Sequence, residues 1–136
     1  MLESIKIFQI DAFTKEIFKG NPACVVPLSE WIDDKALLEI AKENAVPETA
    51  FFVNKKNSIH LRWFTPDLEM DLCGHATLAT AHCLVKHLGY KSNKIKFETL
   101  SGILEVSIEN GIYFLDFPSR PPKRTKLPDL IKSSIN

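Results

Sequence analysis

Two short segments of the sequence hold residues whose types and neighbours could do chemistry. In Val46-Pro47-Glu48-Thr49-Ala50-Phe51-Phe52, a single carboxylate follows a proline that fixes its backbone and precedes a strongly apolar run. An acid at the mouth of such a run is partly withdrawn from water. Desolvation raises a carboxylate pKa toward the range where it can take and return a proton near neutrality. A solvated loop acid is the alternative reading of Glu48. In Asp71-Leu72-Cys73-Gly74-His75-Ala76-Thr77, a glycine that permits a tight turn stands directly before a helix-compatible stretch. The first amides of a helix lack intrahelical partners and attract anions, so a substrate carboxylate suits this place, with Thr77 and the His75 ring as further donors. The competing reading is an ordinary helix start with His75 as its cap.

Cys73, just before that helix, could carry a depressed pKa and act as a thiolate base, or be a small buried residue. Metal binding is not expected, because on a helix rising about 1.5 Å per residue His75 and His82 stand about 10 Å apart, and His82 and His87 point differently. No phosphate-cradling glycine loop, dinucleotide fingerprint or Gly-x-Ser-x-Gly elbow is present, so nucleotide-dependent and serine-hydrolase chemistry has no carrier. No cofactor is expected.

The elements around these segments are legible from periodicity. Ile5 to Phe13 alternates as a half-buried strand, with Ile5, Ile7 and Phe13 as its apolar face, and the Gly20-Asn21-Pro22 turn leads into a short buried strand over 23–28. These two suggest an antiparallel pair. Asp33 or Asp34 can cap a helix over about 34–45, with Leu37, Ile40, Ala41 and Asn44 on one face, Trp31 over its first turn, and Pro47 forcing the exit. Thr49 to Val53 and Ile59 to Phe64 read as a hairpin around the polar turn Asn54–Asn57. From His75 to about Leu88 a helix is expected, with Leu78, Ala81, Val85 and Leu88 as a stripe and Ala76, Ala79, Cys83 and Leu84 extending the apolar character nearly all round, the mark of a buried helix. Gly89 ends it. Lys94–Thr99, Ile103–Ile108 and Ile112–Phe117 are three further strands, the chain bending at Ser101-Gly102 and turning tightly at Asn110-Gly111. The sum is an α+β chain in which a curved, mostly antiparallel sheet of about seven strands wraps around a central buried helix.

Composition bounds what this chain can be. Its 136 residues suffice for one domain with a real core, hydrophobic residues are 45% and charged residues 25%, and no run reaches the roughly 18 apolar residues a membrane helix needs. The start, Met1-Leu2-Glu3-Ser4-Ile5-Lys6, has no secretory pattern, and a cytoplasmic location without membrane association is expected. Cys24, Cys73 and Cys83 lack metal-type spacing and read as free thiols. Residues 118–136 carry Arg120, Lys123, Arg124, Lys126 and Lys132 against Asp129, five positive charges against one negative. With four prolines this stretch reads as a solvated linker rather than a nucleic-acid contact.

Phe8-Gln9-Ile10-Asp11-Ala12-Phe13, Gly20-Asn21-Pro22-Ala23, Glu48-Thr49-Ala50-Phe51, Arg62-Trp63-Phe64-Thr65-Pro66 and Cys73-Gly74-His75-Ala76-Thr77 occur in one order along residues 5–117. In that order they resemble the first half of the PhzF-like phenazine-biosynthesis family, which shares its fold with diaminopimelate epimerase. The resemblance implies a protein of two similar lobes, each a barrel-like sheet around a helix, with the active site between them. On it, residues 1–117 form the N-terminal lobe and residues 118–136 a basic, proline-containing linker toward a second lobe that this chain does not contain. It implies Glu48 as catalytic acid/base and His75 as a catalytic residue contacting substrate, with Asn21, Asp71, Cys73, Gly74, Ala76 and Thr77 as substrate-binding positions and no metal. It further implies a cofactor-independent isomerase or epimerase that moves a proton on a small carboxylate-bearing substrate; the best-known member isomerises a dihydro-hydroxyanthranilate. In diaminopimelate epimerase a Cys-Gly-Asn segment supplies a thiol base, and His75 in place of the asparagine favours the PhzF-like side. The second lobe of the family contributes an Asp-Pro-x-x-Gly-Ser-like segment absent from this sequence. A homodimer, or a separate second-lobe chain, is therefore the expected partner, and a non-catalytic half-protein is the alternative function.

Overall fold

The computed structural model describes residues 4–56 and 58–135. Strands β1 (Phe8–Ala12), β2 (Asn21–Leu28), β3 (Glu48–Lys55), β4 (Ser58–Phe64), β5 (Glu69–Met70), β6 (Lys94–Thr99), β7 (Gly102–Glu109) and β8 (Ile112–Asp116) form one sheet, accompanied by helices α1 (Asp34–Asn44), α2 (Gly74–Lys86) and α3 (Asp129–Ser134). The strand order is β1-β2-β3-β4-β6-β7-β8, with the short β5 paired to β4. Every pairing is antiparallel except β2–β3 and β4–β6. Those two parallel pairs are the ones whose connections contain α1 and α2, as a parallel crossover requires. The α+β lobe read from the sequence is thus what the chain forms.

Helix α2 lies inside the curl and touches β1, β2, β3 and β8. Its buried residues are His75, Ala76, Thr77, Ala79, Thr80, Ala81, Cys83 and Leu84. Small side chains let the sheet close around the helix, and the two buried hydroxyls return to the backbone: Thr77 Oγ1 donates to the Cys73 carbonyl and Thr80 Oγ1 to that of Ala76. Enlarging Ala79 or Ala81 in this lumen costs about 1–3 kcal/mol of overpacking strain. The expected stripe of Leu78, Ala81, Val85 and Leu88 is not the deepest face: Leu78 and Val85 are half-buried and Leu88 is exposed. The reason is that β1 and β8 are the two edges of the sheet and do not pair. The side of α2 carrying Leu78, His82 and Lys86 looks into the groove left between Ile10–Lys15 and Gly111–Tyr113.

β1 also shows the opposite parity to the expected one. Phe8 and Ile10 pack on the core and Ala12 is buried, while Ile5, Ile7 and Phe13 are exposed. The strand begins only at Phe8, and the register that pairs Phe8 with Val25 and Ile10 with Ala23 turns the even-numbered side chains toward α2. A one-residue shift of parity exchanges the two faces completely.

Outside the curl, α1 covers Val26, Phe51 and Phe64 with Leu37 and Ala41. Asp33 caps it by accepting from the Lys35 amide. Arg62 ties this layer together: its Nε and Nη2 hold both oxygens of Glu69, its Nη1 reaches Asp34, and its guanidinium lies over the rings of Trp31 and Phe64. The β3–β4 hairpin is tighter than expected, pairing as far as Lys55 with Ser58, and Asn57, the last residue of the expected turn, lies outside the described residues, as do Met1–Glu3 of the acidic start. Asn110 (φ 51°) and Gly111 (φ 78°) make the β7–β8 turn with the two positive φ angles that a two-residue hairpin loop demands. All three cysteines are buried free thiols. No described helix is long and apolar enough to cross a membrane. Beyond β8 the described residues are mostly exposed, α3 buries none of its side chains, and Arg120 pairs with Asp71.

Candidate active site

The parallel register of β2 and β3 sets Ala23 opposite Glu48, so the carbonyl of Pro22 and the carboxylate of Glu48 open at the same end of the sheet. Local chemistry fixes where β3 starts. α1 ends at Asn44, Ala45 takes the left-handed conformation, and the Asn44 amide donates to Thr49 Oγ1 at 3.2 Å. Val46-Pro47 then leaves Glu48 as the first strand residue, its side chain 18% exposed. The N-terminus of α2 arrives over this end and brings His75.

The His75 ring sits between three partners. Its Nδ1 is 3.5 Å from Cys73 Sγ, and its Nε2 is 3.3 Å from the Pro22 carbonyl and 3.4 Å from Glu48 Oε2. A carbonyl only accepts, so Nε2 carries a hydrogen and donates it to Pro22. The Glu48 oxygen lies beside the same nitrogen, and a small rotation of the carboxylate brings it into that bond; contacts of this kind commonly tighten when substrate binds.

Cys73 caps α2 in an extended conformation without a side-chain capping bond. Burial pushes its thiol up to about 11, with the Glu48 carboxylate adding to the rise, while the amides of Ala76 and His75 pull the other way. Of the two readings weighed from the sequence, burial therefore favours the small buried thiol over the thiolate base. Burial also raises Cys83, to about 11, and Cys24.

Glu48, Cys73 and His75 each bring one ligand-type atom within 4.8 Å of the others, a grouping that histidine spacing alone does not foresee. Cys73 and Glu48 face different ring nitrogens, however, so the contacts form a hydrogen-bond chain through the imidazole.

The remaining sequence-derived positions divide. Gly74 stands at the first position of α2, but its backbone is not in the left-handed region, and a Cβ there would meet Phe117 and Leu115 at ordinary distances of 3.7 and 3.9 Å. The tight turn expected of it is not what the position needs. Ala76 and Thr77 are fully buried, and the Thr77 hydroxyl proton is already given to the Cys73 carbonyl at 2.6 Å, so that hydroxyl is not a free donor. Asp71 turns away to Arg120 at 2.9 Å, which holds its carboxyl below the usual range, and its carbonyl accepts from Ser101. Asn21 opens β2 next to Pro22. Sequence reasoning missed the Pro22 carbonyl, since a backbone acceptor leaves no side-chain signal beyond the Asn-Pro turn, and it missed Arg120, read only as part of a basic tail.

A family model described as phenazine biosynthesis-like protein matches residues 10–122. An uncharacterized isomerase of Pseudomonas aeruginosa is 49% identical over 125 residues, covering 92% of this chain and 48% of that protein. The human phenazine biosynthesis-like domain-containing protein is 39% identical over 143 residues, 96% of this chain and 49% of its own length. The crystal structure of a PhzF family protein from Enterococcus faecalis superposes with a TM-score of 0.86 at 42% identity, over 96% of this chain and 50% of that one. A predicted epimerase from Pseudomonas aeruginosa, at 23% identity and a TM-score of 0.68 over 81% and 41% of the two chains, shares the fold. The chain spans about half the length of the curated relatives it matches.

Proposed function

This chain belongs to the phenazine biosynthesis-like family of PhzF isomerases, and from that premise we propose that it carries the acid/base residue of a cofactor-independent isomerase. Glu48 takes a proton from carbon on a small carboxylate-bearing substrate and returns it to another carbon. His75 offers its Nε2–H to the Glu48 carboxylate or to the substrate. The start of α2, whose first amides have no intrahelical partner, receives the substrate carboxylate. The single observation that carries this reading is Glu48 Oε2 within 3.4 Å of His75 Nε2 at the mouth of the buried helix. One carboxylate held beside a hydrogen-bond donor can serve both proton transfers.

A second lobe, as a second copy or a separate chain, supplies the opposite wall of the cleft in this reading. Support comes from Phe13, Ile17 and Phe18, which stand exposed on the connection leading to Asn21 and Pro22. Apolar side chains gathered beside a site favour a partner surface. A purely non-catalytic role is not favoured, since relatives are named isomerases.

The test is solvent exchange. Small cyclic carboxylates are incubated with the assembled protein in deuterium oxide, and deuterium on carbon is followed by NMR. Glu48→Gln should lower exchange by about 10²–10⁴-fold, the usual contribution of a positioned acid/base, with an unchanged circular dichroism spectrum. Exchange at the wild-type rate in that variant would remove Glu48 from the mechanism.

A further inference from the structure

The acid/base reading uses Glu48 and His75 and leaves Cys73 without work, although the sulfur lies against the one ring nitrogen that faces neither Pro22 nor Glu48. We propose that Cys73 is a positioning residue for His75: its S–H donates to Nδ1 and holds the ring in the tautomer whose Nε2–H faces Pro22 and Glu48. This inference rests on the acid/base reading for its functional meaning, but its geometry stands apart from it.

The argument is one of donor and acceptor matching. Nε2 must carry hydrogen because the Pro22 carbonyl has none to give. In a neutral imidazole Nδ1 is then a bare acceptor, buried with a ring that is only 8% exposed, and a buried acceptor left unpaired is costly. The Cys73 sulfur is the partner at hand, 3.5 Å away. Its position is itself fixed, since the Cys73 carbonyl accepts the Thr77 hydroxyl at 2.6 Å. Burial keeps the thiol protonated at neutral pH, so the hydrogen is available to donate.

The opposite tautomer would aim a lone pair at a carbonyl and a carboxylate, both of which repel it. The thiol therefore keeps the His75 Nε2–H directed toward Glu48, able to bond the carboxylate when the proton has left and to release it when the proton returns. A cysteine acting as acid or base itself, as in the epimerase branch of the fold, makes a different prediction for serine, whose hydroxyl donates well but does not ionise in this range.

The experiment is long-range ¹H–¹⁵N correlation NMR on the whole chain labelled at its histidines, which number four, with the His75 signals identified by their absence in His75→Asn. Wild type should show a protonated Nε2 and an unprotonated, hydrogen-bonded Nδ1. Cys73→Ser should keep Nε2 protonated while moving the Nδ1 signal, because the donor changes from S–H to O–H. In Cys73→Ala, Pro22 alone still favours hydrogen on Nε2, but Nδ1 should lose its hydrogen-bonded shift. A wild-type ring protonated at Nδ1 and bare at Nε2 overturns the proposal, and so does an Nδ1 signal that ignores the exchange of sulfur for oxygen; both outcomes can be read even if the alanine variant does not fold. In Glu48→Gln the tautomer should persist, since Pro22 and Cys73 set it. Loss of the NMR signature therefore counts against the positioning role, whereas normal deuterium exchange in Glu48→Gln counts against the acid/base reading.

Discussion

Cys73 offers a measurement that separates a buried thiol from a thiolate base at the candidate site. Burial and the Glu48 carboxylate raise its thiol from 9.0 to about 11. A shift of two pH units is a hundredfold in thiolate, so at pH 7.5 the reactive fraction falls from about 3% to about 0.03%. Alkylation by iodoacetamide, quenched at intervals between pH 7 and pH 11.5 and read by peptide mass spectrometry, reports this directly. The Cys73 rate should climb about tenfold per pH unit through pH 9 without levelling. Poor access to a residue only 7% exposed lowers the whole curve but does not move its break. Cys24 and Cys83 are read in the same digest, and simultaneous labelling of all three marks unfolding rather than local ionisation. In Glu48→Gln the break should move to lower pH, because the Glu48 charge is one of the causes of the rise. A wild-type break at or below pH 9, or one indifferent to Glu48, refutes the reasoning and restores a thiolate base.

Cys83 gives the stability counterpart. Its folded-state pKa of about 11 exceeds the 9.0 of an ordinary thiol, so the folded chain holds the proton more tightly and stability present below pH 9 is lost as pH rises through 11, by up to about 2–3 kcal/mol. Urea midpoints at pH 8 and pH 10.5 should therefore converge in Cys83→Ala relative to wild type, and an equal fall in both sinks the idea. Gly74→Ala should leave stability unchanged or raise it by about 0.4–1 kcal/mol, since the new Cβ meets only ordinary contacts and the backbone needs no glycine; a fall in thermal midpoint would contradict this. Arg62→Lys keeps the charge but loses the two-pronged grip on Glu69 and the stacking over Trp31 and Phe64. It should cost about 1–2 kcal/mol by thermal melting, and a melt identical to wild type would show the clamp to be idle.

What the sequence made legible follows from which signals are local. The order of the seven longer strands with α1 and α2, the α1 cap at Asp33 or Asp34 and the turn at Asn110-Gly111 each depend on a few adjacent residues and were readable, whereas the two-residue β5 and the short α3 were not. Facing was less so. The alternation of residues 5–13 offers two parities, and only the pairing of Phe8 with Val25 decides between them. Likewise α2 is apolar on most sides, so its periodicity does not say that Leu78 and His82 look into the open seam. At the site, Glu48 and His75 were named from separate segments, but their contact depends on residues that lie 27 positions apart in sequence being joined by topology. The state of Cys73 was out of reach because burial, not sequence position, governs its pKa.

That topology explains why the site lies where it does. As the crossover between the parallel strands β4 and β6, α2 must run back antiparallel to both. β3 is antiparallel to β4, and β2 is parallel to β3. It follows that α2 starts at the end where β2 and β3 start, and the stacking of His87, just past its last turn, on Phe8, which pairs with Val25 well along β2, agrees with that direction. The carboxyl end of β4, with Phe64 paired to Thr49, lies at the same end. Helix amides, the Pro22 carbonyl and the Glu48 carboxylate therefore converge for one reason: a single antiparallel step between β3 and β4 separates the two parallel crossovers. Ligand sites in open parallel sheets lie at strand carboxyl ends because the following helices begin there. Here β4 and α2 have the same geometry, and the reversal at β3 brings the first residue of a strand, Glu48, rather than the last, to that end.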